Sequence, residues 1–211
     1  TAARGPIAAS LKEQMQQVLT SYPAGQYAVF LTNHDQDRVM SQLKDEKRAG
    51  LAATMVLTAP GVPFIYYGEE IGMTGVTPDE DIRLPMKWNN ERGSGFSSGV
   101  PWRAPSKDNP QWNVSDQLAD PDSLLRHYRQ LIQLRNAHSA LRSGKAVLVE
   151  TKTQRLYAML RYNDEEAFLI LVNVHPRPLP AGVYSLSLQA GLPFKGTLQA
   201  VSVLGQSNPS T

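Results

Sequence analysis

The sequence of 211 residues contains no cysteine, no long apolar run and no block of like charge. Without cysteine the chain forms neither a disulfide nor a thiolate metal site, which leaves its compartment open, cytoplasmic or secreted. No apolar run approaches the roughly 18 residues that a membrane-spanning helix needs. Lysine and arginine are interspersed with acidic residues, and the formal net charge is only +2. These features indicate neither a nucleic-acid partner nor a membrane surface, and we expect a roughly neutral partner.

Histidine is scarce as well. The chain has four: His34, His127, His138 and His175. Their spacing is not that of metal ligands. We expect neither a metal site nor a cofactor. A hydrophobic fraction of 41% with 19% charged residues is typical of a folded globular protein.

The first third of the chain alternates helical and strand patterns. Apolar residues recur at helical spacing over 6–20 and again over about 44–58. Each helix is followed by a short apolar run, at 27–31 and 62–67, and we predict that these runs are buried parallel strands. Helix, strand, helix, strand is the order of a parallel α/β architecture.

The segment 68–120 has no sustained periodicity and is rich in Gly, Pro and Asn. Loops of this length in a compact domain are usually functional or disordered, and three tryptophans in the segment argue against disorder. Asp120 and Pro121 predict the start of a further helix that runs to about His138. We expect the basic residues of this helix to form its solvent face; they are Arg126, His127, Arg129 and Arg135.

From about residue 145 the pattern changes to short β-type runs separated by turn formers. The predicted strands cover 146–150, 156–161, 167–174, 183–188 and 197–204. We therefore predict a boundary near Ser143 and Gly144, with one domain at 1–144 and an antiparallel β-sandwich at 145–211.

The strongest chemical signal follows the first predicted strand. Asn33, His34 and Asp35 place an imidazole and a carboxylate side by side just beyond an apolar run. In an α/β barrel the carboxyl ends of the strands carry the catalytic groups. The same three residues also fit a loop in which an aspartate caps the turn and the histidine is hydrogen-bonded.

Four ordered segments resemble the α-amylase family of glycoside hydrolases. They are FLTNHDQDRV at 30–39, PGVPFIYYGEEIGM at 60–73, DEDIRLPMKW at 79–88 with GFSSGVPW at 95–102, and DSLLRHYRQLIQLRNAHSAL at 122–141. The resemblance implies a chain of α/β plus all-β class. It would hold the last strands and helices of a (β/α)8 (TIM) barrel, followed by the C-terminal β-sandwich of that family. We therefore expect a C-terminal fragment of such an enzyme.

The resemblance also implies residue roles. Asp35 would stabilise the oxocarbenium-like transition state, and His34 would donate a hydrogen bond to the same sugar ring. Asn33 is expected to hold the loop. Arg83 is a candidate clamp for substrate hydroxyls, and Tyr67 a candidate sugar contact. We expect the other exposed-type aromatics, Trp88, Phe96 and Trp102, to pack the long segment, although each could stack on a sugar.

A retaining glycosidase needs a nucleophile and an acid/base about 5 Å apart. The resemblance places both on earlier strands, so this chain would lack them. We expect Glu70 to organise a loop, and Asp79 and Glu80 to be solvated. The parent protein would then be a retaining glycoside hydrolase acting on α-glucosidic bonds of starch- or sucrose-derived oligosaccharides, and this chain alone would be inactive.

Two other hypotheses stay open. The chain could be a non-catalytic, amylase-like module that binds carbohydrate or protein, or a complete enzyme that pairs Asp35 with Asp81. For the leading hypothesis the partners are an α-glucan or short oligosaccharide and the missing amino-terminal part of the enzyme. Unpaired strand edges predict association with that part or self-association.

Overall fold

The computed structural model describes residues 7–179 and the backbone of residues 186–187. The helices are α1 (Ile7–Ser21), α2 (Val39–Leu43), α3 (Glu46–Thr58), α4 (Asp79–Ile82), α5 (Val114–Ala119), α6 (Leu124–Ala137) and α7 (Ser139–Arg142), with 3₁₀ turns at Glu69–Ile71 and Arg92–Gly95. The strands are β1 (Ala28–Val29), β2 (Val62–Pro63), β3 (Lys145–Leu148), β4 (Glu150–Thr151), β5 (Leu156–Tyr162), β6 (Ala167–Asn173) and β7 (Leu186–Ser187). Segment 68–120 is thus mostly irregular, as predicted, with short helices that the sequence pattern does not indicate.

The two short strands β1 and β2 pair in parallel, with Ala28 opposite Val62 and Val29 opposite Pro63. The prediction of a parallel pair is confirmed. The prediction that these runs are buried is wrong, because Phe30, Val62 and Phe64 are 44%, 53% and 58% exposed. Within the described residues no further strand pairs with β1 or β2, so their apolar side chains face solvent.

Helices α3 and α6 form the main core beside this strand pair. Their buried apolar residues interlock with one another and with Met40 of α2; the set is Met40, Ala49, Ala53, Leu57, Leu124, Tyr128 and Leu131. Helix α3 begins at Asp45, whose carboxylate accepts the backbone N–H of Arg48 at 2.9 Å. Such a cap satisfies an otherwise unpaired donor of the first turn. The core thus fixes the frame from which the strand-end loops extend.

Two expectations for helix α6 are corrected by the structure. Its N-cap is Ser123 rather than Asp120, because the Ser123 hydroxyl accepts the backbone N–H of Arg126. The basic residues do not share one solvent face. Arg135 is only 7% exposed, and His127 is half-buried, with its ring within hydrogen-bonding distance of Thr54 and Gly50. Tertiary contacts with α3 therefore override the simple amphipathic interpretation.

The carboxyl-terminal described part is antiparallel β-structure. Strand β5 lies between β3 and β6, and β4 pairs with β7. Strand β5 is buried along most of its length and shares a core with α1, α6 and α7. The predicted strand at 183–188 is represented by β7, whereas that at 197–204 lies outside the described residues. The β-sandwich and the boundary between 1–144 and 145–211 remain predictions.

In the described part of the chain, no helix combines the length and the apolarity that spanning a bilayer requires.

Candidate functional site

The loop that follows β1 is ordered by its own side chains. The Asn33 carboxamide oxygen accepts the backbone N–H of Asp35 at 2.9 Å, and the Asn33 carbonyl accepts the N–H of Gln36. A local turn of this kind is what asparagine favours. The prediction that Asn33 holds the loop is confirmed. The turn projects His34 and Asp35 outward, with side chains 62% and 63% exposed.

Arg83 reaches this loop from the long segment that follows β2. Its Nη2 lies 3.1 Å from Asp35 Oδ1 and 2.6 Å from Asp79 Oδ2, and its Nε donates to the His34 carbonyl at 3.0 Å. His34 Nε2 lies 3.3 Å from Asp35 Oδ1. We call His34, Asp35, Asp79 and Arg83 the strand-end site. It brings together three of the four predicted site residues and adds Asp79, which pairs with Arg83 as well as facing solvent.

Tyr67, the fourth predicted residue, is linked to the strand-end site through the backbone. Its hydroxyl donates to the Leu84 carbonyl at 2.7 Å, next to Arg83. Its ring lies beside the guanidinium of Arg38, 4.7 Å from ring centroid to Cζ. Tyr67 is 40% exposed, so part of the side chain is accessible to solvent.

Arg38 is the residue that sequence reasoning missed. It is 1% exposed, and its Nε and Nη1 donate to the carbonyls of Ile82 and Tyr67 at 2.7 and 2.6 Å. Burial lowers the pKa of this guanidinium, while the carboxyl of Glu70 acts in the opposite direction. In the sequence, Arg38 is marked only by its position shortly after the Asn33–Asp35 turn. The carbonyls to which it donates lie 29 and 44 residues further along the chain, so no local pattern predicts these contacts.

A buried carboxyl lies beneath the strand-end site. Glu69 is 3% exposed, and it accepts the Tyr128 hydroxyl at 2.8 Å and the Thr32 hydroxyl at 3.4 Å. Burial raises the pKa of Glu69 to about 7, against the opposing effect of the Tyr128 hydrogen bond. Burial also raises the pKa of Glu70, whose Oε2 has no hydrogen-bond partner. The Glu70 carboxyl accepts backbone hydrogen bonds from Gly68 and from its own N–H, as expected of a residue that organises its loop, whereas the side-chain hydrogen bonds to distant segments are made by Glu69.

The long segment is held by two ion pairs of different character. Lys87 and Asp108 form a buried pair, and Asp108 also accepts the backbone N–H and hydroxyl of Thr74 at 3.0 and 3.1 Å. Asp81 and Arg103 form an exposed pair at 2.7 Å. The segment is therefore ordered, yet it leaves three aromatic side chains in solvent. Trp88, Phe96 and Trp102 are 49%, 47% and 59% exposed, so the expectation that they pack the segment is wrong.

Across residues 7–179, no three imidazole or carboxylate groups come together in a way that could hold a metal ion.

The amino-acid sequence of the chain is similar to that of known proteins. The profile of the α-amylase catalytic domain matches residues 5–144. Alpha-amylase 3 of Dictyoglomus thermophilum is 36% identical over 151 residues, which cover 70% of this chain and 30% of that protein. The oligo-1,6-glucosidase of Halalkalibacterium halodurans is 29% identical over 194 residues, which cover 72% of this chain and 35% of that protein.

A solved structure shows the same similarity in three dimensions. The alpha-amylase from H. orenii superposes with a TM-score of 0.64 at 41% sequence identity, over 72% of this chain and 30% of that chain. This chain spans about a third of the length of the curated relatives cited here.

Proposed function

The chain belongs to the α-amylase catalytic-domain family, and from that premise we propose that it forms the carboxyl-terminal part of a retaining glycoside hydrolase. The whole enzyme would act on α-glucosidic bonds of short starch- or sucrose-derived oligosaccharides. The names of the relatives, alpha-amylase and oligo-1,6-glucosidase, support this substrate class. The parallel strands β1 and β2 would be two strands of the (β/α)8 barrel.

The observation that carries the proposal is the position of Asp35. Its carboxylate stands exposed at the carboxyl end of a parallel strand, held by a turn and by Arg83. An anion fixed at this place interacts more strongly with a sugar as positive charge develops at the anomeric carbon. Asp35 would therefore stabilise the transition state without forming a bond to the substrate.

His34, Arg83 and Tyr67 would bind the sugar around Asp35. His34 Nε2 lies close to Asp35 Oδ1, so a single hydroxyl could contact both. The side chain of Arg83 is 39% exposed and presents planar N–H donors that suit vicinal hydroxyls. The exposed part of the Tyr67 ring would contact an apolar sugar face.

The nucleophile and the acid/base would come from strands that precede residue 1. The two carboxyl groups of a retaining enzyme lie about 5 Å apart. Asp79, the carboxylate that shares Arg83 with Asp35, is bound to a cation at 2.6 Å and lies on the one-turn helix α4. Asp81 pairs with Arg103, which does not favour the hypothesis that it works with Asp35. Asp79 and Asp81 are thus each engaged by an arginine, and we assign the acid/base role to neither.

The exposed apolar side chains beside β1 and β2 would be covered by the amino-terminal part of the barrel, or by a second copy of the chain. Unpaired strand edges and apolar patches favour association. Light scattering on purified chain 1–211 should therefore show a species larger than a monomer, and a monodisperse monomer would contradict this part of the proposal. Adding the amino-terminal part in trans should convert the self-associated species into a one-to-one complex.

The main experiment measures release of p-nitrophenol from p-nitrophenyl α-glucoside. Chain 1–211 should be inactive, and a chain extended at its amino terminus to the length of the relatives should be active. Proton NMR of the first product should show the α-anomer, as retention requires. Activity of chain 1–211 alone, lost in Asp35→Asn, would mean that a complete catalytic set lies within these residues and would overturn the proposal.

A second candidate function is supported by Trp88, Phe96 and Trp102, which are exposed on the ordered long segment. Exposed aromatic rings are suited to binding sugars without chemistry. A non-catalytic carbohydrate-binding module would bind maltose or isomaltose through these residues, and tryptophan fluorescence would report it. Binding that is lost in Trp102→Ala, together with no turnover in the extended chain, would favour this function over the hydrolase.

A further inference from the structure

The backbone on both sides of Arg83 is held by side chains from the two strand-end loops. The carbonyl of Ile82 accepts Arg38 Nε at 2.7 Å and the Tyr66 hydroxyl at 3.4 Å. The carbonyl of Leu84 accepts the Tyr67 hydroxyl at 2.7 Å. Residue 83 is therefore fixed from both of its neighbours.

Arg38 is itself fixed on several sides. Its guanidinium lies 4.4 and 4.7 Å from the ring centroids of Tyr66 and Tyr67, and its Nη1 donates to the Tyr67 carbonyl. Its backbone N–H donates to the carbonyl of Gly75 at 2.9 Å. Contacts of a cation with aromatic faces are stronger where water is excluded. Since Arg38 is 1% exposed, it cannot itself touch a substrate.

The backbone at Gly75 packs closely against the chain at 81–82 and against Arg38. A Cβ on Gly75 would stand 2.3 Å from the carbonyl oxygen of Asp81 and 3.2 Å from Arg38 Cδ. A contact of 2.3 Å with backbone cannot be relieved by a side-chain rotation. The chain at 81–82 therefore runs directly against the segment that Arg38 holds.

Arg83 needs such support from outside its own helix. Helix α4 is only four residues long, and a single turn is not stable by itself. The Arg83 side chain is 39% exposed, and ordering an exposed arginine side chain is opposed by its conformational entropy. The contacts that hold its backbone must therefore come from the rest of the fold.

We propose that Arg38, Tyr66 and Tyr67 form a clamp that positions Arg83 against Asp35. Arg38 and the two tyrosine hydroxyls are positioning residues, since they act through the backbone at 82–84 and Arg83 alone meets Asp35. The catalytic consequence of the clamp rests on the function proposed above, whereas its structural consequence does not. The first experiment is therefore independent of activity.

That experiment follows the Arg83 Nε–Hε signal by proton–nitrogen NMR in chain 1–211, assigned by its loss in Arg83→Lys. In the wild type this proton is donated to the His34 carbonyl. Tyr67→Phe removes only the hydroxyl that holds Leu84, so the signal should move and its exchange with water should become several-fold faster. The matched control is Tyr157→Phe, which removes a buried hydroxyl in β5 that contacts Met159 Sδ; it should leave the signal unchanged.

Arg38→Lys is the stronger variant, because lysine keeps the charge and loses the two-point donation. It should displace the Arg83 signal further than Tyr67→Phe does. If Arg38→Lys does not fold, Tyr67→Phe decides the outcome. An Arg83 signal that is the same in Tyr67→Phe as in the wild type would overturn the clamp.

Kinetics in the extended enzyme test the catalytic consequence. Tyr67→Phe should lower kcat/KM about 10-fold, since small displacements of positioned groups are costly. In an Arg83→Ala background the same change should have no further effect. A full 10-fold effect in that background would mean that the Tyr67 hydroxyl touches the sugar directly, and would overturn the clamp. An Arg83→Ala enzyme with wild-type kinetics would instead overturn the role of Arg83 in the proposed function.

Discussion

At the carboxyl ends of β1 and β2, the guanidinium of Arg83 pairs with two exposed carboxylates, Asp35 and Asp79. At the amino end of β2, Arg135 and Arg161 are buried and bind only backbone carbonyls. Arg135 donates to the carbonyls of Leu57, Ala59 and Gly61 at 2.6–2.9 Å, and Arg161 donates to those of Thr58 and Gly144 at 2.7 and 3.2 Å.

The two ends therefore use the same side chain for different purposes. Buried guanidiniums at the end of α3 satisfy carbonyls that the helix leaves unpaired, and they complement the negative end of its dipole. Burial lowers the pKa of Arg161 to about 10 and also lowers that of Arg135. The exposed guanidinium keeps water around it and can exchange its partners for a ligand. The amino end therefore contributes stability, whereas the carboxyl end carries the residues of the proposed chemistry.

The largest expected effect concerns the carboxyl ends of β1 and β2, which we call the chemical end. Asp35→Asn in the extended enzyme should lower kcat about 1,000-fold, because the fixed anion opposite the developing charge is lost. The free energy of unfolding should change by no more than about 0.5 kcal/mol, since the side chain is exposed. Asp81→Asn, on the same face, is the matched control and should retain most activity. An equal loss in both variants would revive the hypothesis that Asp35 works with Asp81.

The next effect concerns the amino end of β2, where Arg135 and Arg161 lie, which we call the structural end. Arg135→Met keeps the apolar stem but removes the donors to three carbonyls around the end of α3, so the free energy of unfolding in urea should fall by roughly 3 kcal/mol. Arg129→Met, on the same helix but exposed, should change it by less than about 0.5 kcal/mol. If both variants lose the same free energy of unfolding, the buried hydrogen bonds of Arg135 do not contribute to stability. The contrast between the two ends would then not hold.

Sequence reasoning recovered the features that depend on local pattern. The long helices, the parallel pairing of β1 with β2 and the turn at Asn33 follow from periodicity and turn chemistry. It could not recover contacts that join distant segments. The choice of Ser123 over Asp120 as the cap and the burial of Arg135 both depend on how α6 packs against the rest of the fold.

The candidate site divides in the same way. Asp35 and His34 were predicted because a motif places them after an apolar run. The contact of Arg83 with Asp35 spans 48 residues, and that of Arg38 with Ile82 spans 44. An arginine in a sequence is expected at the surface, so the burial of Arg38 carries no local signal. Apart from Asn33, the residues that hold the site in place become evident only in the packed structure.

The chemical end also contains a buried carboxyl group, that of Glu69, and the third prediction concerns its ionisation. Burial raises the pKa of Glu69 to about 7, so the folded state favours the protonated carboxyl. The contribution of the protonated Glu69 to the free energy of unfolding is fully present below pH 4.5, the ordinary pKa of a glutamate. It is lost as pH rises through 7, and the loss amounts to up to about 3 kcal/mol. The difference in unfolding free energy between wild type and Glu69→Gln should therefore change in this direction from pH 5 to pH 8.

The matched control for this pH series is Glu165→Gln, which removes an exposed carboxyl from a turn of the β-structure. Because Glu165 is exposed, its replacement should change the free energy of unfolding by less than about 0.5 kcal/mol. Glu70 is also buried and has a raised pKa, so Glu70→Gln should give a change of the same sign. If the free energy of unfolding changes with pH in parallel in the wild type and in Glu69→Gln, then ionisation of Glu69 does not destabilise the folded state, and the prediction is wrong.

The smallest expected effect concerns the exposed ion pair between Asp81 and Arg103 near the chemical end. Its side chains are 38% and 44% exposed, so a double-mutant cycle with Asp81→Asn and Arg103→Gln should give a coupling below about 1 kcal/mol. The coupling should decrease further in 1 M salt, where the Debye length is about 3 Å. The buried pair of Lys87 with Asp108, 5% and 3% exposed, is the comparison and should resist salt. A coupling for the exposed pair as large and as salt-resistant as for the buried pair would mean that exposed charges at this end are structural, which would remove the distinction between the two ends.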